Sequence, residues 1–375
     1  MTEILHITPL SFGDGGVWGG AERFALELAR AQAFHRPTRL LAFGERAQQW
    51  RDGPLEIMIA PRRATVGNPM NPISEQVFRM IASARVVHLH QWNTLLTSSS
   101  VFYAAALRRS VYATDHGGDG PNPLARLHPE RVVDSLLAVS QYSAKLLPQF
   151  GNRSSVIYCG VDVTRFTPPT DNGHRPSHVI YVGRIKPQKG IDTLISALDQ
   201  RINCHIYGRV LDVPYRRLLG QLADGKNCYF HEDATDNEII EAYRCARVAV
   251  LPSVYQSIYG DIAPKSELFG IALAEAMACA TPAICSDVGG MPEVVVHGKT
   301  GYVVPPGEPD ALAEALHAIV DAPRHLWQQF SNAARDHVRT NFTWERAAQR
   351  CFAVYDKSER YRTWQTKYRR DDVSR

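Results

Sequence analysis

The sequence has no apolar run of about 18 residues, so it predicts no membrane-spanning helix. Its seven cysteines include no Cys-x2-Cys pair, so neither a zinc ribbon nor a disulfide framework is predicted, and we expect reduced thiols in a cytoplasmic protein. Trp18 stands where a dinucleotide-binding fingerprint needs its third glycine, which argues against a nicotinamide or flavin oxidoreductase. No Asp-x-Asp sequence occurs either. Residues 1–8 predict a β-strand and not a signal peptide.

The charge that is present lies unevenly along the chain. The net charge over 375 residues is +4. Residues 1–160 hold 16 Lys and Arg against 12 Asp and Glu, and the remainder holds 26 of each, so the whole excess lies in the first part. All but one of those 16 cations are arginine. A solvated surface explains this pattern, and so does an anionic acceptor or membrane surface that meets this part of the protein.

Short runs rich in Val, Ile and Leu alternate with helical patterns, as in parallel sheets covered on both faces. Strands are predicted in the first part at Ile4–Thr8, Leu40–Phe43, Glu56–Ala60, Val86–His90, Ser110–Thr114, Leu136–Val139 and Val156–Tyr158. A Pro- and Gly-rich stretch at 160–176 predicts an interdomain linker. Further strands are predicted after it at Val179–Val182, Cys204–Tyr207, Tyr229–Phe230, Val248–Leu251, Ala283–Ser286 and Tyr302–Val304. We therefore predict an α/β protein with two consecutive doubly wound domains.

The most informative segment reads Ser-Glu-Leu-Phe-Gly-Ile-Ala-Leu-Ala-Glu-Ala-Met-Ala-Cys-Ala-Thr-Pro and ends at Pro282. Two carboxylates, Glu267 and Glu275, stand eight residues apart in this otherwise apolar stretch. Helix geometry separates side chains at that spacing by about 80° around the axis, so both reach one region. Gly270 and Ile271 stand where the helix is predicted to begin, and the N–H groups there suit a phosphate. Two solvated glutamates are the alternative interpretation.

The Glu-x7-Glu spacing, followed by Ala-Met-Ala and Pro, resembles the retaining nucleotide-sugar glycosyltransferases of family 4, the group 1 glycosyl transferases. The resemblance is strong over residues 178–356 and weaker before them. It implies the GT-B fold, in which two Rossmann-like domains face each other across a cleft. It implies an acceptor-side domain at 1–165, a nucleotide-sugar-binding domain at 166–357, and a C-terminal helix at about 358–375 that packs back on the first. By the same resemblance, Glu267 holds donor sugar hydroxyls and Glu275 binds the ribose.

A second segment, Gly-Arg-Ile-Lys-Pro-Gln-Lys-Gly ending at Gly190, resembles the family's Gly-Arg-x4-Lys-Gly. A departing nucleoside diphosphate gains negative charge, and cations fixed beside it lower the barrier. Arg184 and Lys189 are the candidates for that role, with an ordinary basic loop as the alternative. Lys186 fits the motif less well and is not included. Because cations fill this role, we expect no metal, whereas the other large glycosyltransferase class holds a divalent ion through Asp-x-Asp.

Two loops carry the candidates of the first domain. Gly19, Gly20 and Glu22 match the family's Gly-Gly-x-Glu, which implies a contact between Gly20 and the donor phosphate. A tight turn that needs positive φ is the alternative for this glycine. Thr114 and His116 match the family's Thr-x-His, whose histidine hydrogen-bonds the donor sugar from the acceptor-side domain.

Weaker candidates lie near these loops. His90 is an acceptor-side candidate, Asp115 and Asp119 could bind acceptor hydroxyls, and Trp92 either stacks on a sugar ring or fills a core. The chain also departs from the family, because thirteen residues, Val254 to Ser266, stand where the family usually has two. This insertion is interpreted as a lid, a specificity loop or a surface excursion.

The implied activity is transfer of a hexosyl unit, with retention, from a nucleotide-diphosphate sugar to a hydroxyl of a saccharide, a lipid-linked saccharide or another glycoconjugate. Such a step belongs to cell-surface glycan or glycoconjugate biosynthesis. The alternatives are a sugar-nucleotide epimerase or hydrolase on the same fold and a non-catalytic sugar-nucleotide-binding protein. We expect no cofactor, no nucleic-acid partner and a cytoplasmic location, with peripheral contact at the anionic inner face of the membrane as a further hypothesis.

Overall fold

The computed structural model describes residues 4–9, 20–67, 69–118, 120–170, 175–176 and 178–371, with side chains described as far as Ser358. The chain divides into two compact units. One unit joins Met1–Gly160 to Trp344–Arg375, and the other is Val161–Thr343. No helix within the described ranges combines the length and the apolar character that a membrane crossing needs.

The first unit is built on a mainly parallel sheet. Its strands are β1 (Ile4–Ile7), β2 (Thr38–Gly44), β3 (Gln48–Asp52), β4 (Leu55–Pro61), β5 (Ala64–Thr65), β6 (Pro72–Ile73), β7 (Val86–His90), β8 (Ser110–Thr114), β9 (Ser135–Ala138) and β10 (Ser154–Val156). Its first four helices are α1 (Gly20–Ala33), α2 (Gln76–Ser83), α3 (Leu95–Ala106) and α4 (Gln141–Lys145). The described strands of the main sheet have the order β10-β9-β8-β7-β1-β2-β4-β3, with β5 and β6 forming a separate pair.

Strand order reverses between β1 and β7 of this sheet, which pair in parallel register with Leu5 opposite Val87. Both residues are fully buried. Helices cover the faces of a parallel sheet, and its strands are therefore mostly apolar. Loops that follow the carboxyl ends of strands at such a reversal form the usual ligand site of doubly wound folds. All seven strands predicted for this part of the chain are present; Val86–His90 and Ser110–Thr114 have the predicted ends, and the other five differ by one or two residues at an end. β3 was not predicted, because it is a polar, mostly exposed antiparallel edge strand.

The second unit has the same organisation on a smaller sheet. Its strands are β11 (His178–Val182), β12 (Asn203–Tyr207), β13 (Cys228–His231), β14 (Val248–Leu251), β15 (Ala283–Ser286) and β16 (Gly301–Val304). Its helices are α5 (Ile191–Ala197), α6 (Val213–Leu222), α7 (Asp236–Cys245), α8 (Ile271–Ala278), α9 (Pro309–Val320) and α10 (Arg324–Asn341). The strand order is β13-β12-β11-β14-β15-β16, and this order reverses between β11 and β14. Every described pairing in this sheet is parallel.

The last helix, α11 (Trp344–Asp371), belongs to the first unit. The sequence predicts the domain boundary at 165/166 and the return at about 358, whereas the structure places the crossings at Gly160 and Trp344. The first boundary lies earlier because the Val161 N–H donates to the carbonyl oxygen of Phe342 at 2.8 Å, which ties this residue to the second unit. The return lies earlier because α11 buries an apolar face from its first turns, made of Ala347, Ala348, Cys351 and Tyr355. The sequence also predicts that residues 358–375 pack on the first unit. Their side chains beyond Ser358 lie outside the described residues, so this stays a prediction.

Candidate functional site

The reversal point of the second sheet brings two predicted residues into contact. Lys189 closes a short 3-10 turn after β11, and Glu267 lies between β14 and α8. The Lys189 ammonium donates a hydrogen bond to the Glu267 carboxylate and lies 3.5 Å from the main-chain oxygen of Ser266. The two side chains are only 8% and 16% exposed, so this is a largely buried ion pair. The spacing of 78 residues in sequence gave no indication of this pairing.

Two glycines allow the loops around this ion pair to meet backbone to backbone. Gly190 has φ of +63°, and a Cβ there would collide with the carbonyl oxygen of Pro252. Gly289 also has φ of +63°, and a Cβ there would collide with the carbonyl oxygen of Glu267. The N–H of the next residue, Gly290, donates to that same oxygen at 3.2 Å. The glycines therefore hold the Lys189 and Glu267 backbones in place.

Two further cations share this edge of the sheet. Arg184 is exposed, and its carbonyl accepts a 3.1 Å hydrogen bond from the buried Tyr181 hydroxyl. Lys186 is half-buried, and its pKa is lowered to about 8 by burial and by the charges of Arg184 and Lys189, against the opposing effect of Glu267. Lys186 is not among the predicted site residues, because it fits the family motif less well than Arg184 and Lys189. Its place between two cations in one short turn is the sequence signal that would have included it.

Helix α8 begins next to this cluster. Gly270 precedes it with φ of +94°, and no side chain caps the first turn, which starts with the half-buried Ile271. Uncapped N–H groups and the positive end of the helix dipole are suited to an anion. Glu275 lies one turn further along the helix and is buried. The structure thus places the predicted Gly270 and Ile271 three and four residues after Glu267, on the same edge as Lys189.

The inserted segment Val254–Ser266 is a closed hairpin anchored beside Lys189. The Val254 N–H and the Ser266 hydroxyl both donate to the carbonyl oxygen of Gln188, each at 3.0 Å. Its tip exposes three large apolar side chains, Ile258, Tyr259 and Ile262, which are 52%, 51% and 77% exposed.

In the first unit, His116 follows β8 and is half-buried. Its Nε2 lies 3.2 Å from Nδ1 of His90, and its ring packs 4.8 Å from the Phe24 ring. Burial lowers the pKa of His116 to about 3, so the ring is neutral at physiological pH. Gly20 is exposed at the start of α1, has no positive φ, and has no other described residue within 4 Å of the point where a Cβ would lie. The tight-turn explanation for this glycine is therefore wrong, whereas the space fits a close ligand approach.

The weaker candidates of this unit prove structural where they are described. Trp92 is buried with its ring edge-on to Phe150 at 4.7 Å. Asp115 is buried and accepts from the main-chain N–H groups of Trp92 and Gly117, each at 3.3 Å. His90 is fully buried and so cannot contact an acceptor directly, contrary to the sequence-based hypothesis. Asp119 and Gly19 lie outside the described residues.

Comparison with known proteins agrees with this arrangement. Residues 165–337 match the family model for glycosyl transferases group 1, and residues 18–165 match that for Glycosyltransferase Family 4. The chain belongs to the group 1 glycosyl transferases. D-inositol 3-phosphate glycosyltransferase of Thermobifida fusca (strain YX) is 26% identical to this chain over an alignment that covers 94% of this chain and 91% of that one.

Solved structures confirm the predicted GT-B fold of this group 1 glycosyl transferase. Sucrose-phosphate synthase from Thermosynechococcus elongatus aligns with a TM-score of 0.71 at 21% identity, over 96% of this chain and 100% of that one. Anabaena HepE in complex with UDP and glucose aligns with a TM-score of 0.70 at 18% identity, over 95% and 100% of the two chains.

Proposed function

We propose that this group 1 glycosyl transferase moves a hexosyl unit from a nucleotide-diphosphate sugar to a hydroxyl group, with retention at the anomeric carbon and without a metal ion. The observation that carries the proposal is the cluster at the reversal point of the second sheet. There, Arg184, Lys186 and Lys189 oppose one acid, Glu267, beside the uncapped start of α8. Such a surplus of positive charge suits a diphosphate leaving group, whose negative charge grows as the glycosidic bond breaks.

Glu267 has two tasks in this proposal. It fixes the Lys189 ammonium in the ligand-free protein, so the cation needs no reorganisation when the donor binds. Its carboxylate also accepts hydrogen bonds from donor sugar hydroxyls, while Glu275 binds the ribose. In this mechanism the incoming alcohol attacks from the face that the diphosphate leaves, and a diphosphate oxygen takes the alcohol proton. This accounts for retention without a protein nucleophile.

The acceptor is proposed to carry negative charge. Relatives of this chain bear the name D-inositol 3-phosphate glycosyltransferase, which describes an anionic acceptor. The surplus of arginine over acids in residues 1–160 agrees with an acceptor of this kind. A saccharide acceptor presented at an anionic membrane surface agrees with the same charge distribution and is the second acceptor to test.

The test is a donor panel followed by product analysis. Thermal stabilisation by sugar nucleotides, starting with UDP-glucose because HepE was solved with it, identifies the donor. Turnover is then measured in EDTA with phosphorylated and neutral acceptors, and the anomeric configuration of the product is read by NMR. We expect a retained anomer and undiminished rates in EDTA. An inverted product, or an obligatory divalent ion, would overturn the respective part of the proposal.

Matched variants connect the outcome to the cluster. Arg184→Met is expected to lower kcat by about 10²- to 10³-fold, as the loss of one transition-state charge contact typically does. Arg339→Met removes an exposed arginine elsewhere in the same unit and is expected to leave kcat unchanged. Formation of free sugar, or of an epimerised donor, at the same rate without any acceptor would instead indicate a hydrolase or epimerase.

A further inference from the structure

A continuous series of buried hydrogen bonds extends from His116 into the core of the first unit. His116 Nε2 lies 3.2 Å from Nδ1 of His90, and His90 Nε2 lies 3.0 Å from Nδ1 of His6. His6 Nε2 in turn lies 3.1 Å from Oε1 of Gln32. The members come from β7, β1, α1 and the loop after β8, so tertiary packing assembles the series.

The series continues from Gln32 to a backbone carbonyl. The Gln32 amide nitrogen lies 3.4 Å from the Tyr355 hydroxyl, which is 2.8 Å from Nδ1 of His88. His88 Nε2 lies 2.8 Å from Oγ1 of Thr114, which is 2.9 Å from the carbonyl oxygen of Leu137. A carbonyl oxygen accepts hydrogen bonds and never donates them, so the series has a fixed direction at this end.

That end determines each proton in turn. The one hydroxyl proton of Thr114 points to Leu137, so the Thr114 oxygen accepts from Nε2–H of His88. A neutral His88 ring then has a bare Nδ1, which accepts the Tyr355 hydroxyl proton. The Tyr355 oxygen accepts from the amide NH2 of Gln32. Gln32 must therefore turn its Oε1 towards the next histidine.

The remaining rings follow the same rule. His6 donates its Nε2–H to Gln32, and its Nδ1 accepts from Nε2–H of His90. His90 Nδ1 accepts from Nε2–H of His116. Burial keeps these rings neutral, because it lowers the pKa of His6 to about 4 and that of His90 well below its usual value. Nδ1 of His116 thus carries a lone pair, and no described residue donates to it.

We propose that this series of hydrogen bonds keeps Nδ1 of His116 as a hydrogen-bond acceptor. The ring therefore selects a substrate hydroxyl over an anionic oxygen. Gln32 is the positioning residue that transmits the direction of the hydrogen bonds to His116. The identity of the substrate as a sugar rests on the proposed function. The proton positions do not, because hydrogen bonds within the first unit alone determine them. A neutral ring with a bare nitrogen attracts an O–H group and repels a carboxylate or phosphate oxygen.

Metal binding is the competing explanation for these histidines. His6, His88 and His90 each offer a nitrogen within 4.8 Å of the others. All the ring nitrogens of these three residues are already engaged in hydrogen bonds to protein groups. A metal ion bound by these three rings would have to displace those hydrogen bonds.

The first experiment reads the protons directly in ligand-free wild-type protein. Long-range proton–nitrogen NMR spectra of 15N-histidine-labelled protein distinguish protonated from bare ring nitrogens. We expect Nε2–H and a bare Nδ1 on His6, His88, His90 and His116 between pH 6 and 8. A proton on Nδ1 of any of the four rings would overturn the proposal.

The second experiment tests transmission, because an isolated neutral histidine also favours one tautomer. Gln32→Met removes the acceptor at nearly constant size, so we expect His116 to show both tautomers in exchange. Gln32→Glu restores an acceptor oxygen and is expected to restore Nε2–H on His116. Ser100→Ala alters a buried polar residue outside the series and is expected to change nothing. An unchanged His116 tautomer in Gln32→Met contradicts the proposal, and Thr114→Val provides the same break should that variant not fold.

The third experiment measures selection of the hydroxyl. With donors that lack one sugar hydroxyl at a time, wild-type kcat/KM is expected to fall by about two- to twelve-fold at one position, the worth of one neutral hydrogen bond. Gln32→Met is expected to lose that discrimination, with little change for donors that already lack the hydroxyl. Equal discrimination in both proteins would refute the selection step. Absence of turnover with every donor would refute the proposed function, while the spectra still decide the proton positions.

Discussion

The ion pair between Lys189 and Glu267 allows a quantitative test of the site. Both side chains are largely buried, at 8% and 16% exposure. Lys189→Met shortens the side chain by one atom and removes its charge, which leaves the Glu267 carboxylate buried without its partner. Removing one member of a buried ion pair costs about 3–5 kcal/mol, and the residual exposure of Glu267 places our expectation near 3 kcal/mol.

A double-mutant cycle separates the interaction from the loss of each side chain. Glu267→Gln is expected to destabilise the second unit by a similar amount, because it leaves the Lys189 ammonium buried. The double variant is expected to be less destabilised than the sum of the two changes, with a coupling energy of about 1–3 kcal/mol. Additive effects would show that the two charges do not depend on each other in the ligand-free protein.

The assay must report on the second unit alone, because a two-unit protein need not unfold in a single step. Trp327 is the one tryptophan in residues 161–343, and its buried ring donates to the carbonyl oxygen of Arg247 at 2.9 Å. In fluorotryptophan-labelled protein, the 19F signal of Trp327 during urea denaturation therefore follows this unit. Lys299→Met, which removes an exposed lysine, is the control and is expected to change stability by less than about 0.5 kcal/mol.

The same variants test the chemistry. Lys189→Met is expected to lower kcat by about 10²- to 10³-fold under conditions in which the protein remains folded. A loss of stability without a loss of kcat would assign the pair a structural role only. A near wild-type rate together with near wild-type stability would refute the interpretation of the cluster.

Three further predictions concern the cluster and the two units. The pKa of Lys186 is lowered to about 8, and a bound diphosphate favours the charged form of this lysine, so donor affinity is expected to fall as pH rises from 8 to 10, with uptake of protons on binding. Calorimetry in buffers of different ionisation enthalpy measures the proton uptake, and Lys186→Met should abolish it. Gly289→Ala places a methyl group against the Glu267 carbonyl at positive φ, so donor affinity and stability are both expected to fall, and a wild-type donor Kd would contradict the positioning role of this glycine. Truncation after Thr343 removes the buried face of α11 and is expected to unfold the first unit, whereas truncation after Lys357 leaves that face intact; hydrogen exchange of β1 distinguishes the two, and equal protection would contradict the assignment of α11 to this unit.

Apolar runs made the two sheets predictable from the sequence, because parallel strands buried on both faces are continuous apolar stretches such as Val248–Leu251. The edge strand Gln48–Asp52 has no such run and was missed. Helix α3 was also missed, because its apolar residues do not keep a clear helical spacing among the serines of Leu95–Ala106.

The candidate site divides in a similar way. Family motifs gave Lys189 and Glu267 as separate residues, but their contact depends on how two loops meet at the reversal point. The environment of His116 was harder to predict. Its hydrogen-bond partners come from positions as distant as Tyr355, and neither residue type nor local spacing indicates which ring nitrogen meets which acceptor.

The assignment of α11 to the first unit has a consequence for synthesis on the ribosome. Domains usually fold in the order in which they emerge, amino-terminal first. Here Met1–Gly160 emerges early but lacks the helix that begins at Trp344, whereas every residue of Val161–Thr343 is available before that helix is translated. The later part of the chain can therefore reach its native state first, and nascent chains that stall before residue 344 would present an incomplete amino-terminal core to chaperones.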